Sequence, residues 1–101
     1  MLDLEDILKR AAAMKAGSVL VSVGRPPVAR VSGKLQPPFD SAPLTFHDTE
    51  RIAESLMDDL QRNQLLQHGS IELPFEIGGV VGSVTVFYGM GSHNMVFYLS
   101  D

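Results

Sequence analysis

SVGRPPVARVSGKLQPPFDSAPLTFHDTE, Ser22–Glu50, is the stretch whose reading decides the fold. Two short apolar runs flank Arg25-Pro26-Pro27, and a Gly33-Lys34 turn, a proline-rich connection and a helix start follow in order. Pro26 and Pro27 fix φ and donate no backbone N–H, so they suit a turn rather than a strand ladder. Gly33 supplies the positive φ that a tight reversal before Lys34-Leu35 demands. Thr45 followed by Asp48 can satisfy the free N–H groups of a new helix.

Working outward, Leu4, Ile7, Leu8, Ala11 and Ala12 recur at helical spacing, which predicts a helix over residues 3–15. Asp3 is placed to cap it, acids fill its first turn, and Lys15-Ala16-Gly17 closes it. Val19–Val23 is short and β-branched and reads as a strand. Val28–Val31 reads as its hairpin partner. A second helix is expected after Thr45, with Ile52, Ala53, Leu56, Met57 and Leu60 on its apolar side. Gln61–Gln67 reads as its continuation or as a separate turn of helix, ended by Gly69.

Ile71, Leu73, Phe75 and Ile77 then alternate with period two, and Pro74 within them places this strand at an edge or a bulge. Gly78-Gly79 turns the chain into Val80–Phe87, and Gly89–Asn94 turns it again into Met95–Leu99. Both parities of these last two strands are mostly apolar, as in strands covered on both faces. The expected fold is α+β: a PAS-like antiparallel sheet of five or six strands with two main helices on one face. Two helices can cover only one side of such a sheet.

The chain has 101 residues, enough for a single domain (1–101) that buries roughly 60–65% of its unfolded surface. It has no cysteine, which excludes disulfides and thiolate metal sites. A net charge of −4 argues against electrostatic nucleic-acid binding. No long apolar run or basic leader is present, so no membrane insertion and a cytoplasmic location are expected. Lys9, Arg10, Lys15, Arg25, Arg30 and Lys34 lie in the first 34 positions, and no basic residue follows Arg62. A nearly uncharged C-terminal third suggests a buried or partner-facing sheet.

The order of these parts resembles the N-terminal, PAS-like domain of the hexameric secretion ATPases, in particular that of the type IV pilus retraction ATPases. Ser22, Gly24, Pro26, Pro27, Arg30, Gly33, Leu35 and Pro37 match that family's first block. Pro43-Leu44-Thr45 and Asp48-Thr49 match its second, Gln61-Arg62 its third, and Gly69–Ile77 (GSIELPFEI) a later stretch. The resemblance covers nearly the whole chain.

It also marks departures. The family's engine is a separate domain with a Gly-rich phosphate loop, which needs GxxxxGK[ST]. The Gly33-Lys34 pair lacks the upstream glycine and the hydroxyl residue, and Gly89-Met90-Gly91-Ser92 has no cation. An acid and a histidine of the family fall on Ser18 and Leu20. Its arginines near the end of the domain, which reach toward nucleotide in the hexamer, fall on Phe87–Met90 and on Phe97-Tyr98. Without guanidinium groups there is no charge to stabilise a phosphate.

No catalytic residue, metal site or cofactor is expected. His47, His68 and His93 are scattered, Ser22, Ser41 and Ser92 sit in no nucleophile elbow, and Asp58-Asp59 reads as a solvated helix face. The reading is a non-catalytic protein-interaction or regulatory module of pilus-dependent (twitching) motility. Its expected partners are a pilus motor ATPase, a pilus-base or polarity protein, or a second copy in a homodimer. Tyr88, Met90, Phe97 and Tyr98 are its candidate contact residues, with Arg25 and Arg30 as a second set. Two alternatives are a subunit-packing domain of a complete hexameric ATPase and a PAS-like small-ligand sensor, which needs a polar cluster inside an apolar pocket. Calorimetry of this chain with ATP and magnesium is expected to show no heat of binding; a low-micromolar dissociation constant would overturn that reading.

Overall fold

A computed structural model describes residues 3–39 and 42–100. Asp40 and Ser41 of the proline-rich connection lie outside the described residues, as do both extreme termini. Along the chain run α1 (Leu4–Ala13), β1 (Ser18–Val21), β2 (Val28–Val31), β3 (Lys34–Leu35), α2 (Phe46–Leu56), α3 (Asp59–His68), β4 (Ser70–Ile77), β5 (Val80–Gly89) and β6 (Ser92–Leu99). The six strands form one antiparallel sheet in the order β3-β2-β1-β6-β5-β4. The α+β architecture is the expected one, with a third helix added.

Capping sets the helix boundaries. The Asp3 side chain accepts from the Asp6 N–H and starts α1. At α2 the Thr45 hydroxyl accepts from the Asp48 N–H at 3.1 Å, while the Asp48 carboxylate accepts from the Thr45 N–H at 2.9 Å. That second bond holds the Asp48 carboxyl below its ordinary range. Because the folded-state pKa is depressed, its contribution is complete above the ordinary carboxylate range and is lost as pH falls through the lower, folded-state pKa.

The second helix ends earlier than its apolar periodicity suggests. Met57 is extended (φ −122°, ψ 147°), and Asp58 opens α3 with a second reciprocal cap to Gln61. Asp58 is therefore a cap rather than part of a solvated helix face. Leu60 consequently leaves the expected apolar side and is 67% exposed. Ala12, expected on the apolar side of α1, is exposed as well. Gln61–Gln67 belongs to this separate helix, which Gly69 ends in the left-handed conformation as expected.

Backbone demands also shape the strands. β1 stops at Val21, because the chain from Ser22 to Pro27 is tied elsewhere instead of forming a tight hairpin. Val23 donates its N–H to Asn94 Oδ1, Gly24 donates to the Leu44 carbonyl, and Leu44 donates to the Arg25 carbonyl. Among the described residues three hairpin turns are two residues long and left-handed at both positions: Ser32-Gly33 (φ 53° and 79°), Gly78-Gly79 (φ 58° and 83°) and Met90-Gly91 (φ 53° and 80°). Such primed turns match the right-handed twist of the strands they join. Gly82 is required by a close approach, since a Cβ there would meet the Tyr98 carbonyl oxygen.

Pro74 sits on the outer strand, as its chemistry requires. The Tyr88 N–H donates to the Gly69 carbonyl, so alternation directs the backbone groups of Ile71, Leu73, Phe75 and Ile77 toward β5. Those of Ser70, Glu72, Pro74 and Glu76 point to the free edge. The missing N–H of Pro74 thus costs no ladder bond, and it interrupts the edge as a pairing template.

One apolar core lies between the helices and one face of the sheet. Ile7, Leu8 and Ala11 of α1, Ile52 and Ala53 of α2 and Leu65 of α3 pack over Val19, Val21, Val84, Val86, Met95 and Phe97. Phe75 and Phe97 meet edge to face, with centroids 5.3 Å apart. Removing a fully buried side chain such as Leu8 would cost about 2–5 kcal/mol. Thr45→Ala, which deletes a capping oxygen, is expected to lower stability by about 1 kcal/mol. Urea denaturation checks it: coincident midpoints for the variant and the parent would show that this cap does not set the helix start.

Candidate interaction surface

All three helices lie on the same face of the sheet. The strand register divides the remaining side chains accordingly. On the opposite face, one row runs Leu35, Arg30, Ser18, Tyr98, Ser83, Pro74 from β3 to β4. The next row runs Val28, Leu20, Val96, Thr85, Glu72, and beyond it Phe87 lies between Asn94 and Ser70. No described helix covers these rows. Leu35 (55%), Phe87 (44%), Val81 (44%) and Tyr98 (47%) are substantially exposed, and Leu20, Val28 and Val96 are half-buried beside them. Large apolar side chains exposed together on one face, among uncharged Ser18, Ser83 and Thr85, are characteristic of a contact surface.

The expected contact residues separate on this geometry. Tyr98 and Arg30 both lie on the open face, flanking Ser18 in one row. Met90 is fully exposed at the tip of the β5–β6 hairpin, away from that row. Arg25 is exposed in the β1–β2 connection. Phe97 is fully buried against the helices, so it belongs to the core and offers no surface to a partner. Tyr88 also points to the helix side, where its ring packs on His93 at 4.6 Å. The apolar character of both parities in β5 and β6 therefore has two causes, a core on one parity and an open face on the other. Leu20, Val28 and Leu35 extend that face across the N-terminal strands. Their signal, the parity opposite to Val19, Val21 and Ala29, was present in the sequence but only the pairing of β1 with β6 aligns it with Tyr98.

A cleft of about 160 Å³ lies at the corner between α2 and α3, where Met57 and Leu65 form an apolar floor under Tyr88 and His93. Arg62 closes its rim. Its Nε lies 2.9 Å from a Glu54 carboxylate oxygen, at an angle unsuited to a directed hydrogen bond, and its Nη1 contacts Asp59. Arg62 thus ties the α2–α3 corner together electrostatically. The cleft has the polar and apolar groups a small ligand needs but lies well below the ~300–1,000 Å³ that such sites occupy. The open sheet face is the more capable surface.

Comparison with protein-family models and with curated proteins gives no match. Solved structures do match. The pilus retraction motor PilT, in a crystal structure with bound ADP, superposes with a TM-score of 0.84 and 29% identity over 97% of this chain and 29% of that chain. The ATPase DotB of Legionella pneumophila matches with a TM-score of 0.75 and 17% identity, over 97% of this chain and 28% of that one. DotB of Yersinia pseudotuberculosis matches with a TM-score of 0.76 and 19% identity, over 96% and 29%. The two DotB likenesses speak to the fold alone. The chain spans less than a third of the length of these proteins, and the part matched is their N-terminal region, outside the catalytic domain. The class so defined is the N-terminal domain of pilus retraction and secretion ATPases, to which this chain is structurally similar.

The two tyrosines provide a test of the two-faced sheet. Tyr98→Asp is expected to leave the circular-dichroism spectrum and the melting temperature nearly unchanged, because its side chain is half exposed on the open face. Tyr88→Asp removes a ring packed against the core and sets a half-buried carboxylate beside His93, and is expected to lower stability by about 1–3 kcal/mol. Equal losses in both variants would mean that Tyr98 is also part of a core.

Proposed function

We propose that this chain is a non-catalytic protein-interaction module related to the N-terminal domain of type IV pilus retraction ATPases, acting in the cytoplasm in pilus-dependent motility or its regulation. The observation that carries the reading is the open sheet face, an apolar surface left uncovered on a domain that superposes closely on part of a pilus motor. The positions where the family resemblance places phosphate-reaching arginines hold Tyr88, Met90 and Tyr98, which cannot balance phosphate charge. Docking through the open face, where Tyr98 lies, rather than support of hydrolysis, is the activity this arrangement supports. The partner is a pilus motor ATPase or a pilus-base or polarity protein, and the mechanism is occupation of a surface that motor subunits use on one another.

A second reading, a subunit-packing domain of a complete hexameric ATPase, is favoured by the superposition of 97% of this chain on the retraction motor. The two readings differ in what the isolated chain does. Biolayer interferometry against a purified type IV pilus retraction ATPase is expected to show binding, with the motor's ATP hydrolysis slowed as this chain is added. No binding to the motor or to pilus-base proteins, together with unaltered twitching on overexpression, would remove the regulatory reading.

A further inference from the structure

The open face keeps its charges at its margins. Arg30, on β2, lies near one side of the sheet, and Glu72 and Glu76, on the edge strand β4, lie at the other. Between them the rows hold Ser18, Tyr98 and Ser83, then Leu20, Val96 and Thr85, with no ionised group. The register sets their heights along the strands. Arg30 shares its row with Pro74, so it stands midway between Glu72 and Glu76 in that direction.

We propose that this face is a self-complementary interface that pairs two copies of the chain face to face, with Arg30 of each copy between Glu72 and Glu76 of the other. A two-fold axis parallel to the strands, passing between β1 and β6, exchanges the two margins and preserves height. It sets β4 of one copy over β3 of its partner, one strand spacing from β2. Packed sheets lie about 10 Å apart and strands about 4.8 Å apart, a separation that an arginine and a glutamate side chain span together. The two-fold axis perpendicular to the strands would instead set each β4 against the partner's β4, acid facing acid, and leave Arg30 facing Arg30. Charge thus selects one of the two symmetric sheet pairings, while Tyr98, Leu20 and Val96 near the axis supply the apolar contact.

Neither edge is a good rival route to a dimer: Pro74 and the two glutamates interrupt strand-to-strand pairing at β4, and β3 at the other edge is only two residues long. The footprint of the face is roughly 500 Å² at ordinary strand spacing, below the ~800 Å² per partner of standard interfaces. The dimer is therefore weak, dissociating at roughly 10–100 µM. This inference rests on the reading of the open face as a contact surface and names its occupant as a second copy.

Sedimentation velocity of the 101-residue chain from ~1 µM to ~1 mM tests it. A reversible monomer–dimer equilibrium is expected. Arg30→Glu should raise the dissociation constant about tenfold, as should Glu72→Arg with Glu76→Arg, and the combined triple variant should return to within about threefold of the parent. Tyr98→Asp should abolish dimerisation with the circular-dichroism spectrum retained. Should that variant fail to fold, the charge exchange still decides, since all three positions are exposed. A monomer at every concentration, or a triple variant no stronger than the single reversals, would overturn the proposal. A monomer that still binds the retraction ATPase would overturn it alone and leave the broader function standing.

Discussion

The pairing of β1 with β6 is the contact on which the rest of the structure depends. Val19 opposes Phe97 and Val21 opposes Met95, joining a three-stranded N-terminal unit to a C-terminal meander across most of the chain. Without it there would be two small sheets, each too narrow to hold the helices. With it, Val19, Val21, Met95, Phe97, Val84 and Val86 form one continuous apolar surface on which all three helices settle. The closure is long-range and entropically expensive, so it depends on the burial it makes possible. Gly82 and the carbonyl of Tyr98 approach closely at the far end of the same region, where a side chain would force the strands apart.

Covering one face so completely leaves the other bare. The three helices are 10, 11 and 10 residues long and are needed together over a core that runs across the sheet from β2 to β4. Among the described residues no helix covers the opposite face. Its centre is apolar, its margins are charged, and its outer strand is blunted by Pro74, Glu72 and Glu76. That combination suppresses indiscriminate edge pairing while leaving a broad, flat surface available. A domain built this way is suited to docking through a sheet face.

The likeness to the N-terminal region of a pilus retraction motor is strong in shape and modest in identity. The matching residues serve the architecture. Thr45 and Asp48 close a capping box, Gly33 completes a left-handed turn, Pro27 is fully buried, and Arg62 braces the corner between α2 and α3. The departures that the sequence resemblance implies lie on β1, at Ser18 and Leu20, and on the last two strands, at Tyr88, Met90 and Tyr98.

Much of this was legible in the sequence because local chemistry enforces it. Asp3 and Thr45 can do little but cap, Gly33 and the Gly89–Asn94 stretch mark reversals that the structure tightens to Ser32-Gly33 and Met90-Gly91, and a proline within Ile71–Ile77 had to lie at an edge or a bulge. The break at Met57-Asp58 was legible too, in the spacing of Asp58 and Gln61, but the apolar residues Met57 and Leu60 ran across it and masked it. The face on which each aromatic residue lies was not legible. In β5 and β6 both parities are apolar, and alternation says only that neighbours such as Phe97 and Tyr98 face opposite ways. The helices decide which of the two is core. Their placement depends on the β1–β6 register, a contact between residues nearly 80 positions apart that no local pattern encodes. Only the tertiary structure therefore separates Phe97 and Tyr88, which hold the domain together, from Tyr98 and Arg30, which it presents outward.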